Sequence, residues 1–477
     1  RNNFNLRHVG DLAFAGIKDF HVLDLSRSMI TYLPTEGLID IRELVIEETP
    51  SLKQFPSVFK FSQIETARLT YKHHCCAFRH PDKQDPAESS LLELTGRTSA
   101  CAAQNQMITP STASQPDTSP TFGPTGVFRI RRASRGSILS STPNSHNDTK
   151  WVTCGNFSSP KNYSRVMCTP QPNAFNPCED LMGYEWLRVF VWFVLLAALG
   201  GNLIVIIVLL TARSKLTVPK FLMCNLSFAD FLMGLYLLLI ASVDVHFLGE
   251  YFTHAVSWQN DGGCQVAGFL TVFASELSVF VLTVITMERW YAISQAIHVN
   301  KRLRMRQATG LMFFGWIYAS SMALLPLFGV SGYGAVSICL PMEARDVWDI
   351  VYIISLLIFN GFAFMVISGC YISMFLKVRA SENMARSNDA TIAKRMAILV
   401  LTNFICWAPI AFFGLTASFG HPLIDITNSK ILLVFFYPFN SCANPFLYAI
   451  LTKQFRKDFF ILLGRYGFCT DRANKYK

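Results

Sequence analysis

The side chains with chemistry to offer stand inside apolar runs. Asp230, Glu276 and the pair Glu288-Arg289 each interrupt a stretch long enough to cross a bilayer. Asn202, Asn360, Asn403, Asn440 and Asn444 are set the same way. A charge in hydrocarbon costs about 2.5–3.5 kcal/mol on insertion scales, so such residues meet partners and mark ion paths, relays or switches. The chemistry open to them is the exchange of hydrogen bonds and ion pairs between helices. No nucleophile–base set, phosphate loop or metal constellation accompanies them, so neither an enzyme nor a cofactor is expected. A second cluster, His73-His74-Cys75-Cys76, has metal-ligand types. It lacks the second ligand pair that a zinc site needs. With Cys101, Cys154, Cys168 and Cys178 its cysteines make a set of six, which allows 15 disulfide connectivities.

The elements that position these residues follow from composition. Of 477 residues, 51% are hydrophobic and 16% charged, against roughly 25% charged in soluble domains. Apolar segments lie near 187–212, 220–243, 265–294, 308–329, 348–376, 393–417 and 431–451. A soluble chain could not cover seven such helices. The short loops set the orientation. Arg213, Lys215 and Lys220 follow the first span. Lys301, Arg302, Arg304 and Arg306 follow the third, and Lys377, Arg379, Arg386, Lys394 and Arg395 lie between the fifth and sixth. The alternate loops hold only Arg345 and Lys430. The amino terminus is therefore expected outside. The net charge of +10 is read as an inner membrane flank, not a nucleic-acid surface.

The outer half shows a repeat. Leu23-Asp24-Leu25, Leu44-Val45-Ile46 and Ala67-Arg68-Leu69 recur at intervals of 21 and 23, the period of a leucine-rich repeat. Alternation turns Leu23, Leu25, Leu44 and Ile46 inward and sets Asp24, Glu43, Glu47 and Arg68 on a concave ligand-binding face. Further repeats are expected before Arg1. Residues 79–150 are rich in Ser, Thr, Pro, Gln and Asn and read as an insert without a core, with a solvated basic run at 129–132. Asn147, Asn156 and Asn162 open glycosylation sequons. Asn225 opens another inside a span, where it is expected to stay unmodified. Phe455, Phe459, Phe460 and Leu463 share one face of a basic eighth helix at the membrane surface, and Cys469 beyond it is a palmitoylation candidate. The organisation expected is a repeat domain at 1–74, a cysteine-bearing hinge at 75–186, the bundle at 187–452 and an inner tail at 453–477. The fold class is an all-α seven-transmembrane bundle with an extracellular α/β leucine-rich-repeat solenoid and a disulfide-bonded hinge.

Gly201-Asn202, Leu226-Ser227-Phe228-Ala229-Asp230, Glu288-Arg289-Trp290, Trp316, Cys406-Trp407-Ala408-Pro409 and Asn444-Pro445-Phe446-Leu447-Tyr448 stand in order in their spans. The stretch 187–463 resembles the rhodopsin-like G-protein-coupled receptors. Cys75-Cys76-Ala77-Phe78, the junction Phe175-Asn176-Pro177-Cys178-Glu179-Asp180-Leu181-Met182-Gly183-Tyr184, Ala274-Ser275-Glu276-Leu277-Ser278 and Tyr437-Pro438-Phe439-Asn440-Ser441-Cys442 narrow the resemblance to the glycoprotein hormone receptors. It covers almost everything except 79–150. Asn403, Trp407 and the segment Asp148-Thr149-Lys150-Trp151-Val152-Thr153 depart from the vertebrate pattern and point to a divergent, invertebrate member without sulfotyrosine recognition.

The resemblance implies disulfides between Cys264 and Cys339, between Cys75 and Cys76 and the pair Cys168 and Cys178, and between Cys101 and Cys154. It implies a clamp between Arg289 and Asp389, although Asp389 also suits a helix N-cap. It implies a sodium- or water-binding centre at Asp230, Asn202 and Asn444, and tyrosines at Tyr371 and Tyr448 that swing inward. Pro409 and Pro445 kink their spans. Glu276 and Lys430, near the outer mouth, are expected to pair with each other at rest or to meet junction atoms on activation. The implied partners are a heterodimeric cystine-knot glycoprotein hormone, a stimulatory G protein that raises cyclic AMP, and plasma-membrane lipid. Residues 175–184 are expected to act as a tethered activator. A relaxin-like or growth-factor-binding leucine-rich-repeat receptor is the alternative.

Overall fold

A computed structural model describes residues 2–17, 19–92, 163–211, 215–294, 303–342, 346–380, separate positions between 402 and 416, 423–424, 426–451 and 453–476. Cys101, Cys154, Asn147, Asn156, Asn162, Asp389, Asn403 and Trp407 fall outside the described residues, as does the Tyr448 side chain. The chain forms two units, 1–84 with 163–477, and 85–162. In the second, the described residues 86–92 are helical.

In the first unit, β1 (Val22–Asp24), β2 (Glu43–Ile46), β3 (Thr66–Leu69) and β4 (Met167–Thr169) form one parallel sheet in chain order. Register places Leu23, Leu44, Ala67 and Cys168 in one row. That row is buried, and Ile30, Leu38, Ile41, Phe61 and Ile64 from the returning segments complete the core beneath it. Strands as short as these cannot hold a sheet alone, and side chains tie the corners. Thr70 Oγ1 donates to the Ile46 carbonyl at 2.6 Å and accepts from the Thr49 N–H at 2.9 Å. The fourth strand comes from the cysteine-bearing segment that the sequence assigns to the hinge. The Cys75–Cys168 disulfide, across 93 residues, holds it beside β3.

The remainder of the unit carries the long helices. The long helices are α1 (Glu185–Thr211), α2 (Val218–His246), α4 (Gly262–Ser294), α5 (Met305–Leu324) and α6 (Val347–Ala380), with a short α3 (Tyr251–Gln259) between α2 and α4. Five helices among the described residues are long and apolar enough to cross a membrane. The expected span at 393–417 lies largely outside the described residues. The last span is built as α7 (Ile426–Ile431), a widened turn at Leu432–Phe436 and α8 (Tyr437–Leu451). In that turn the Tyr437 N–H reaches back five residues to the Leu432 carbonyl. The next residue, Pro438, has no N–H to continue the ordinary ladder. Such turns recur at functional sites.

α9 (Lys453–Arg465) follows. Phe455 is buried, and Phe459 packs on the core of the bundle. Lys220 at the start of α2 holds Asp458 of α9 at 2.6 Å, both buried. Cys469, just beyond α9, is exposed.

Candidate functional site at the bundle mouth and core

The structure ties the junction 175–184 at both ends. Cys178 is bonded to Cys76, next to the Cys75–Cys168 bond at the end of the sheet. Toward the helices, the Phe175 carbonyl accepts from the Ser337 N–H at 2.9 Å and its hydroxyl at 2.6 Å. The buried Asn176 donates to the Ala335 carbonyl at 3.1 Å and accepts from Gln259 of α3 at 2.7 Å. Ser337 stands in the loop held to α4 by the Cys264–Cys339 disulfide. Pulling on the sheet therefore pulls on a segment hydrogen-bonded to α3 and to this loop.

The second half of the junction is held by charge. Asp180 accepts from the Gly249 N–H at 2.6 Å and from Arg188 of α1 at 2.8 Å. Arg188 also grips Asp244 of α2 at 2.5 Å, and Asp244 accepts the Met182 N–H at 2.9 Å. Lys430 donates to the Leu181 carbonyl. Tyr184 is exposed, with its ring stacked on Trp186 at 6.2 Å between centroids. Neither Asp244 nor Arg188 stands out in the sequence. The second apolar run, 220–243, stops one residue short of Asp244, whereas α2 continues to His246. Arg188 stands at the outer end of an apolar run, where a cation passes for an interface residue.

Glu276 and Lys430 do not pair with each other; Lys430 instead meets the junction at the Leu181 carbonyl. Glu276 accepts from Asn360 at 2.8 Å and from the Tyr318 hydroxyl at 3.0 Å. Helix rise puts it about 18 Å along α4 from Cys264, while Lys430 lies directly beneath Gly183 at the mouth. The two belong to different depths. Glu276 lines a cavity of about 420 Å³ with Asn360, Tyr437 and, at its outer edge, Phe175.

Deeper in the bundle the structure brings Asn202, Asp230 and Asn444 together, all fully buried. Asp230 accepts from Ser278 at 3.1 Å, Ser441 at 2.9 Å and Asn444 at 2.7 Å. Asn202 donates to the carbonyls of Ala198 and Ser441 at 2.8 and 2.9 Å. The amide oxygens of Asn202, Asn440 and Asn444 and the Ser227 hydroxyl are buried without a protein partner. At the inner end, Arg289 contacts Glu288 at 3.2 Å. The neighbouring Trp290 donates to Ser373 of α6 at 2.9 Å, with Lys377 over its ring. Tyr371 of α6 packs on the core at this end.

On the sheet, Glu43 and Arg68 pair at 3.1 Å on the outward face, and Glu47 is exposed. The same face carries exposed Val22 and Met167. Val45, outward by register between Asp24 and Arg68, is buried. The face is thus less uniformly charged than alternation of the acidic and basic residues suggests. At the end of the sheet, His73 packs edge-on to Tyr251 of α3, 6.0 Å between centroids, and its Nε2 is buried without a partner. His74 Nε2 lies 3.2 Å from the Lys53 carbonyl. Burial, with His74, Lys72 and Lys430 nearby, pushes His73 down to about 3, and burial pushes His74 down to about 4. Among the described residues no group of three metal-ligating side chains is formed.

Apolar helices surround an ionisable core, and a disulfide-anchored segment lies at their mouth. Residues 201–448 match the 7 transmembrane receptor (rhodopsin family), and the chain belongs to that family. It is a multi-pass protein of the plasma membrane. The whole chain is 47% identical to the lutropin-choriogonadotropic hormone receptor of Mus musculus and 46% identical to that of Homo sapiens. It is 44% identical to the follicle-stimulating hormone receptor of Equus caballus. It spans 64% of the length of each of the first two and 65% of the third. A solved structure, squid rhodopsin, matches 61% of this chain and 89% of its own at 22% identity and a TM-score of 0.49, a likeness too remote to bear on the reading.

Proposed function

We propose that the protein is a glycoprotein hormone receptor that binds a heterodimeric cystine-knot hormone on its outer half and signals through a stimulatory G protein to cyclic AMP. The observation that carries the reading is the junction 175–184, covalently held to the sheet at Cys178 and hydrogen-bonded to α2, α3 and the loop bearing Cys339. In this reading the outer half is a leucine-rich-repeat solenoid whose outward face, with Asp24, Glu43, Glu47 and Arg68, receives the hormone. The hinge then shifts residues 175–184, the built-in activator, against the bundle. Glu276, Asn360 and Tyr437 pass the change inward.

The surplus of buried acceptor oxygens around Asp230 suits a hard monovalent cation or water. In this reading Arg289 of the third span is clamped to Asp389 of the sixth, and release of that clamp opens the G-protein cleft. Replacing Asp389 by Ala is expected to raise ligand-free signalling; an unchanged basal level removes the clamp from the account.

Cells displaying the receptor and exposed to heterodimeric cystine-knot hormones should accumulate cyclic AMP. No response, with receptor confirmed at the surface, favours a relaxin-like or growth-factor-binding leucine-rich-repeat receptor.

A further inference from the structure

Lys430 is the most unbalanced charge at the mouth. Its side chain is 4% exposed as a residue, and its ammonium carries three donors. The Leu181 carbonyl accepts one of them. Among the described residues no carboxylate lies within ion-pair distance of it. The acid whose field reaches it, Asp244, is already bonded to Arg188 and to the Met182 N–H. A buried ammonium facing one neutral acceptor carries a desolvation penalty that a counter-ion would offset.

The surroundings provide room and field for one. Lys430 lines a cavity of about 310 Å³ that reaches the outer surface between the end of the sheet and the junction. Arg79 and His80 stand on its wall. Arg79 is tied to Gln171 and His80 rests against Phe252 at 6.3 Å between centroids. The acidic side chain on the wall is Glu179, exposed and unpaired with Lys430. Gly183 roofs the ammonium: a Cβ there would lie 3.8 Å from Nζ, so a larger residue would shield it. Gly183 has φ +78°, the left-handed region where glycine is unstrained.

We propose that this cavity binds a small inorganic anion, chloride in the outer medium, on the Lys430 ammonium, with Arg79 adding to the positive field. The anion neutralises the lysine and thereby fastens the sheet end and the junction to α7. The site is separate from the hormone face and from the core around Asp230.

The test uses the purified full chain in lipid nanodiscs. Thermal unfolding is compared in sodium chloride and sodium gluconate at equal sodium concentration and ionic strength, so that any effect of sodium on the core stays constant. The expected result is a saturable rise in melting temperature with chloride, reproduced by bromide. The rise disappears in Lys430→Gln and persists in Lys430→Arg. Arg79→Gln moves the half-effect to about fivefold higher chloride, as removal of one nearby charge requires. Equal melting in the two salts overturns the proposal, as does a chloride-dependent rise that survives in Lys430→Gln. Should Lys430→Gln fail to accumulate, Arg79→Gln decides: an unchanged half-effect overturns the site.

Discussion

Individual side chains at the mouth set the resting arrangement. Asp244 is 1% exposed and holds both the Arg188 guanidinium and the Met182 N–H. Breaking a buried pair by removing one partner costs about 3–5 kcal/mol. Asp244→Ala is expected to loosen the junction and raise ligand-free cyclic AMP per surface receptor; basal signalling equal to the parent's would show that Met182 needs no such anchor.

The histidines make a pH prediction. Unfolded, each titrates near 6.5; folded, burial holds His73 near 3 and His74 near 4. In that window the unfolded chain binds the extra protons, so the stabilisation is full above about pH 6.5. It declines as pH falls toward 4 and 3, by about 1.4 kcal/mol per histidine per pH unit. The melting temperature of the outer half should drop between pH 7 and pH 5, and His73→Gln with His74→Gln should flatten that slope. The sequence displayed the two histidines as metal-ligand types; their burial against Tyr251 depends on a contact with α3 that no local pattern encodes.

At the level of elements, close approach decides which changes are tolerated. A Cβ on Gly268 of α4 would stand 2.2 Å from the Tyr333 ring and 2.9 Å from the Cys339 carbonyl. The loop over the mouth cannot retreat, because Cys339 is bonded to Cys264. Gly268→Ala should therefore destabilise by about 1–3 kcal/mol, read as a lower melting temperature and reduced surface display. A parent-like melting temperature would mean that the loop yields freely.

The strand rows and the first five spans were legible because hydrophobic period and run length are local properties, as Leu23, Leu44 and Ala67 demonstrate. β4 was not. Three residues in a cysteine-bearing segment carry no period, and their place beside β3 rests on a disulfide spanning 93 residues. The polar core was legible residue by residue, since Asn202, Asp230 and Asn444 stand out against apolar neighbours. The partners of Glu276 were not, because Tyr318 and Asn360 come from two other helices.

Across the whole unit, sheet, junction and helices are joined by the Cys75–Cys168 and Cys76–Cys178 bonds and by the polar contacts of residues 175–184. Loops of this size, closed by a disulfide, gain roughly 4–5 kcal/mol in the chain-entropy model. This keeps the outer half attached while leaving the weaker contacts of Asp180 and Met182 free to exchange. In the proposed reading binding and signalling are then separable, the outward face of the sheet receiving the hormone and the junction transmitting.

The direct test of that separation replaces Glu179 and Asp180 together by Ala and measures hormone binding and maximal cyclic AMP on the same cells. The account predicts unchanged binding with a strongly reduced maximal response. A full response, or equal loss of binding and signalling, would contradict it.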